Sequence, residues 1–362
     1  MTVPKNSVFM LYLSYTQDAT IETICNNVTI QKSSERELPN YYFDNNYIKN
    51  KLDTIVSKSP LDGLQFAFIT DVHCRQNEGM SPALIKYFKK YTNSVPFVVF
   101  GGDVLVSTVN EGIDILEDAR IWQSWINEIG KANVYQVQGN HDYLGYHYVN
   151  GERVGFQEPL GVCRQFVIGN LEDENIVGVP GKLWYYLDIP TAKTRIIFLN
   201  DYDTPRNDGV FHGYNGMSVD QVRWVVETAL SEDDIRVIFV SHQTYDANMT
   251  GQNQQVFVGM QSLFKAIANK TLFSYGAITK DFTNSNIQFV AHLCGHMHAD
   301  ASNVDDNVLT IQTTCDGIMG ETSGRIAGTI TEQAFDIVTV DYSNSKLYTT
   351  RIGAGNDREF DI

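Results

Sequence analysis

The segment VAHLCGHMHAD, residues 290–300, places His296 and His298 on either side of Met297, directly after an apolar run and Gly295. Imidazole is a general acid or base and the commonest metal ligand, so a closely spaced pair raises the question of partners. The chain supplies them at four other places, each after an apolar run: Asp71 and His73 in TDVH, Asp103 in GGDV, Asn140, His141 and Asp142 in GNHD, and His242 in SH. Carboxylates, an amide oxygen and several imidazoles suit divalent transition metals such as Mn, Fe, Zn, Co or Ni. They do not suit calcium or a closed structural zinc. If the loops are extended, alternation turns Asp71 and His73 one way and Val72 the other, and likewise His296 and His298 about Met297. The glycines let the backbone turn tightly beside the cavity.

Taken singly, DxH, GGD and SH are uninformative. Five such pieces in this order, each at an expected strand end, point to one site. The ordered set TDVH, GGDV, GNHD, SH and CGHMH resembles the calcineurin-like metallophosphoesterases over roughly residues 63–352. The resemblance implies a four-layer α/β fold, a β-sandwich flanked by helices with a two-metal site at one edge. It implies that Asp71, His73 and His298 hold one ion, that Asn140, His242 and His296 hold the other, and that Asp103 bridges them. His141 would contact the scissile phosphate or its leaving oxygen.

Two divalent ions about 3.5–4 Å apart can hold a hydroxide between them and neutralise charge on a phosphoryl group under in-line attack. Adjacent side chains diverge, so ligation by Asn140 frees His141 to act as general acid or transition-state donor. Either Asp142 or a carboxylate from elsewhere orients it. Purple acid phosphatases carry a tyrosine three residues after the GD aspartate. Val106 stands there in this chain, so no tyrosinate-bound ferric centre is expected. Arg75, Arg153, Arg164 and Arg206 are available to clamp a phosphate, although a surface position is the plainer account of each. His147 lies outside the motifs, His292 reads as a core or supporting residue, and His212 sits in a glycine-rich loop that can reach over the site. Loops at 143–182, 202–217 and 243–256 would wall a substrate pocket.

The elements that must position these residues alternate as βαβ units from residue 61 onward. Buried strands are expected at 64–70, 96–100, 133–138, 236–241 and 287–294, with an adjacent pair in LWYYLDI and TRIIFLN. Ser81-Pro82 reads as an N-cap and first helical residue of a helix running to about residue 92. Ile115, Ala119, Trp122, Ile126 and Ile129 share one helical face, and Ser218…Gln221 forms a capping box. After residue 307 a more antiparallel set closes the domain. The expected division is an N-terminal extension, 1–60, and a catalytic domain, 61–362. The extension holds strands near 7–15 and 26–32 and an amphipathic helix bearing Ile48, Leu52, Ile55 and Val56.

With 43% hydrophobic residues and 19% charged, the 362-residue chain can bury a large core. Its formal net charge of −16 argues against a broad grip on nucleic acid. Five scattered cysteines without a CxxC indicate neither a disulfide framework nor a zinc ribbon. No run is long enough to span a membrane, and the N-terminal KNSVFMLYLSYTQ reads as a strand rather than a signal peptide. A cytoplasmic location is therefore favoured. The expected function is dinuclear metal-dependent hydrolysis of a small phosphomonoester or phosphodiester through a metal-bridging hydroxide. The alternative is a structural or docking component of a larger cell-surface or viral assembly that retains the fold.

Overall fold

The run GLQFAFI becomes a strand in which six of seven residues are buried, and a strand covered on both faces requires a layer on each side. The computed structural model describes residues 36–74, 79–92, 95–105, 115–130, 134–142, 146–149, 152–155, 176–180, 182–203, 216–249, 254–318 and 324–362. The strands expected at 7–15 and 26–32, and Arg75, Val106, Arg164, Arg206 and His212, lie outside these residues, as do the side chains of His147 and Arg153.

In chain order the elements begin with α1 (Tyr47–Ser57), β1 (Gly63–Ile69), α2 (Ser81–Tyr91), β2 (Val98–Phe100), α3 (Ile115–Ile129) and β3 (Val134–Gln136). A hairpin of β4 (Tyr146–Val149) and β5 (Glu152–Gly155) precedes β6 (Ile176–Gly178), β7 (Tyr185–Ile189) and β8 (Thr194–Phe198). Then come α4 (Val219–Trp224), β9 (Arg236–Val240), α5 (Gln254–Asn269) and a second hairpin of β10 (Leu272–Tyr275) and β11 (Ile278–Asp281). The last strands are β12 (Gln288–Cys294), β13 (Ala301–Asp305), β14 (Val308–Gln312), β15 (Ala334–Asp341), β16 (Lys346–Gly353) and β17 (Arg358–Asp361).

Two large sheets result. The first has the order β17-β16-β15-β1-β2-β3, with β1, β2 and β3 parallel and the closing strands antiparallel. The second has the order β13-β14-β12-β9-β8-β7-β6, with β14, β12, β9 and β8 parallel. Strand alternation sorts the apolar residues into layers. Leu64, Phe66 and Phe68 of β1 join Phe198, Val240 and Leu293 of the second sheet in the central core. Ala67 and Ile69 face the other way, into a cluster with Ile48, Ile55, Leu84, Phe88, Trp122 and Trp125 from the first three helices. Ile197, Val237 and Phe239 pack against Val222, Leu263 and Ile267 of α4 and α5. The order helix, sheet, sheet, helix is the expected four-layer sandwich.

Three local expectations change. Ser81 is not the N-cap of α2: Met80 takes that position, and the Ser81 hydroxyl, inside the first turn, donates to the buried Asp316 carboxylate at 2.6 Å, a charge-assisted bond. At the start of α4 the Ser218 hydroxyl does accept from the Gln221 amide. The Gln221 side chain instead serves the backbone of Asn200, so the box is half made. Val56 of α1 is exposed, whereas Ile48 and Ile55 are buried. Helix α5 has no counterpart in the expected elements. Its central Gly259 lies against the Tyr275 ring, and such a contact leaves no mark in local periodicity.

A polar knot joins the closing strands. The fully buried Asp336 receives Arg351 Nε at 2.8 Å, Arg358 Nη2 at 2.8 Å and Thr313 Oγ1 at 2.8 Å. Burial alone would raise its pKa, but the two guanidinium groups outweigh it and hold the carboxyl below the usual range. A depressed carboxylate contributes stability above its unfolded pKa of about 3.9, lost as pH falls through the folded value. Replacing Asp336 with Asn is expected to cost about 3–5 kcal/mol near pH 7. Denaturant titrations should show the gap to wild type narrowing below about pH 4.

Candidate metal centre

Every expected site residue lies just beyond the C-terminal end of a parallel strand, where several loops of an α/β sheet converge. Asp71 and His73 follow β1, Asp103 follows β2, and Asn140, His141 and Asp142 follow β3; His242 follows β9, and His296 and His298 follow β12. The first sheet thus supplies the carboxylates, the amide and two imidazoles, the second sheet three imidazoles.

The structure brings them together in two groups. Among the described residues, the ligand atoms of Asp71, His73 and His298 lie within 4.8 Å of one another, as do those of Asp103, His242 and His296. In the first, His298 Nε2 is 3.3 Å from Asp71 Oδ1 and 3.4 Å from His73 Nε2. In the second, His242 Nε2 is 3.2 Å from Asp103 Oδ2, 3.2 Å from His296 Nδ1 and 3.1 Å from Asn140 Oδ1. Asp103 Oδ2 is also 4.0 Å from His73 Nε2, so this carboxylate stands between the groups.

The pointing mechanism differs from the expected one. Asp71, His73, Asp103, His296 and His298 have φ of 51°, 46°, 51°, 74° and 52°, so their backbones are left-handed and not extended. Convergence comes from tight turns at the ligands themselves. Left-handed non-glycine residues are held only where their surroundings over-determine them. Here buried carboxylates do so: Asp71 Oδ2 accepts from the His296 amide at 2.8 Å and Thr70 Oγ1 at 2.6 Å, and Asp103 Oδ1 accepts from the His141 amide at 2.6 Å. The glycines serve close approach. A Cβ on Gly295 would overlap Thr70 Oγ1 and Asp71 Oδ2, and one on Gly139 would overlap Asp103.

Asp142 accepts three backbone amides: Gly139 at 2.7 Å, Asp103 at 3.0 Å and Leu105 at 3.0 Å. It ties the GD loop to the GN loop. Burial, reinforced by the Asp103 charge, pushes its pKa up to about 6. His141 is half-buried, its ring edge-on to His73 with centroids 4.9 Å apart. The fully buried His292 places Nε2 2.6 Å from Ser241 Oγ and stacks on Tyr245, supporting the loop that carries His242. Thr70 and Tyr202 were not singled out from the sequence. Thr70 sits inside TDVH, where its neighbour Asp71 was the available signal. Tyr202, buried with its hydroxyl 3.4 Å from Asn140 Oδ1, belongs to no motif.

The donor set fits a pair of divalent cations. Asp71 Oδ1 is buried without a well-aligned hydrogen bond, a costly state for a carboxylate oxygen unless a cation stands beside it. Burial lowers the pKa of His73, and burial with the neighbouring His242 lowers His296 to about 4, so both rings are neutral ligands near pH 7. Asp71 and Asp103 stay ionised despite burial because imidazoles, His242 foremost, face them. Burial alone would depress His242, but Asp103 and Asp71 push it up to about 10. Its Nδ1 is 2.8 Å from Gly101 O, which leaves Nε2 as the nitrogen facing the site. A divalent cation would replace the proton that these carboxylates now attract.

The sequence model of the family described as calcineurin-like phosphoesterase matches residues 64–300. The chain belongs to this family. Members typically bind two divalent metals, and the two Asp/His groups lie within the matched span. Among solved structures, the chain is similar to a conserved uncharacterized protein of Streptococcus pneumoniae described as a predicted phosphoesterase, at 12% identity, TM-score 0.33, and coverage of 83% of this chain and 99% of that one. It is similar to GAP50, the anchor in the inner membrane complex of Plasmodium, at 13% identity, TM-score 0.43, and coverage of 83% and 89%. It is also similar to an archaeal phosphodiesterase at 11% identity, TM-score 0.34, and coverage of 83% and 100%. No curated protein matches the sequence. Among the described residues, no helix is long and apolar enough to cross a membrane.

Left-handed backbone and ligation are separable at His298. His298→Asn and His298→Val both remove the imidazole, but a β-branched residue at φ of 52° is strained whereas asparagine is tolerated there. In chelator-treated protein, denaturant titration should find the valine variant less stable than the asparagine variant by about 1–2 kcal/mol.

Proposed function

We propose that the chain is a dinuclear metal-dependent phosphoesterase acting on a small phosphomonoester or phosphodiester of nucleotide size. The carrying observation is the pair of ligand groups with the Asp103 carboxylate between them. In this reading Asp71, His73 and His298 hold one ion, Asn140, His242 and His296 hold the other, and Asp103 is shared. When bound, the two ions would supply Lewis acidity toward the phosphoryl oxygens and lower the pKa of a coordinated water.

The chain's own groups do the rest. His141 lies beside His73 with its backbone amide fixed on Asp103. From there it contacts the phosphoryl group or gives a proton to the leaving oxygen. Asp142 acts through the backbone, holding the turn that presents Asn140 and His141 in register with Asp103. Tyr202 and Gln243, joined at 2.8 Å, brace Asn140 from behind. The net charge of −16 repels an anionic substrate at long range, so recognition rests on the locally positive centre, and extended nucleic acid is not expected as a partner.

Chelator-stripped protein reloaded with manganese should hydrolyse p-nitrophenyl phosphate or its bis ester, and Asp103→Ala should bring turnover to background. His141→Gln should keep both metals and lose about 10²–10⁴ in kcat. Two bound metals without turnover on a broad phosphoester panel would overturn the hydrolase and favour the docking role.

A further inference from the structure

His298 is carried by the second sheet, yet it must meet Asp71 and His73 of the first. The loop Gly295–Asp300 that carries His298 is left-handed at two residues and needs anchors. Within its own sheet it is held by Thr314 Oγ1 to His298 O at 2.8 Å, the Thr314 amide to Asp300 Oδ1 at 3.1 Å and Gln312 Nε2 to Ala299 O at 2.9 Å. Toward the opposite sheet, the His296 amide bonds to Asp71, and Asp300 meets Arg351 of β16.

The second contact is built for geometry. Arg351 Nη1 donates to Asp300 Oδ2 at 2.8 Å and Nη2 to Oδ1 at 2.6 Å, a bidentate pair. The guanidinium is fully buried, and its plane is fixed by Nε to Asp336 Oδ1 at 2.8 Å and Nη1 to Ala354 O at 2.8 Å. Asp336 is held in turn by Arg358, whose Nη1 reaches back to Gln312 O of β14 at 2.9 Å. Asp300 lies two residues after His298. A planar fork constrains distance and angle together, which a lysine ammonium cannot reproduce.

We propose that Arg351 and Asp300 are positioning residues, an inter-sheet clamp that sets His298 against Asp71 and His73 and thereby controls occupancy of that one metal position. The inference rests on the two-metal reading and deepens it. It also predicts asymmetry between the positions. The Asp103, His242 and His296 group has cross-sheet ties nearer its own ligands, His242 Nδ1 facing Gly101 O and the His296 amide bonded to Asp71, so under this proposal it keeps its ion when Arg351 is changed.

The test titrates metal-stripped full-length chain with manganese chloride by calorimetry and follows the spin coupling of the loaded pair by electron paramagnetic resonance. Wild type should bind two ions that couple. Arg351→Lys, and the milder Asp300→Asn at a side chain that is one-third exposed, should each weaken one ion by about 10–100-fold and leave the other unchanged. At loading that fills one position, the coupled signal should give way to that of isolated manganese. The double variant should be no worse than the weaker single, as for two halves of one contact. Leu263→Ala, in the core behind the second sheet, should keep both ions despite its lower melting temperature. Wild-type-like binding by both clamp variants, or the same one-ion loss in Leu263→Ala, would overturn the clamp alone. Fewer than two ions in wild type would overturn the two-metal reading together with it.

Discussion

The structure depends on the register of two sheets that contribute complementary halves of one centre. The first sheet carries Asp71, His73, Asp103 and Asn140, and the second carries His242, His296 and His298. Each ligand group draws on both. A displacement of one sheet would move His242, His296 and His298 relative to Asp71 and Asp103, so interior packing and site geometry are coupled. The central core of Phe66, Phe68, Phe198, Val240 and Leu293 sets the spacing of the layers. Apolar packing is non-directional and tolerates small slides, whereas the bidentate contact between Arg351 and Asp300 specifies direction.

A second constraint is local. Five of the seven expected ligands occupy the left-handed region, a cost of order 1–3 kcal/mol each. It is offset by a lattice in which buried carboxylates accept loop amides. Asp142 binds three, Asp71 binds that of His296, and Asp103 binds that of His141. Removing any one carboxylate leaves donors unsatisfied as well as a turn unsupported. Gly139 and Gly295 belong to the same lattice because the carboxylates occupy the space a side chain would need.

The electrostatics follow from that crowding. Two carboxylates buried together repel each other, and their charges raise the pKa of His242 between them against the effect of its burial, while burial lowers those of His73 and His296. An acidic chain thus gathers at one spot a donor set whose chemistry suits cations.

The strand ends and the types of residue placed there were legible from the amino-acid order, because burial on both faces writes continuous apolar runs and the polar residues begin where the runs stop. The helical face of Trp122, Ile126 and Ile129 was readable for the same periodic reason. Left-handed turns at Asp71 and His298, the diversion of Ser81 to Asp316, and helix α5 behind Gly259 left no such trace, since each answers to an atom distant along the chain. The identity and order of the metal-capable residues were therefore set by sequence. Tertiary structure alone decided the backbone turns that aim them and the tie of Asp300 to Arg351, because these depend on how two separately formed sheets come to rest against each other.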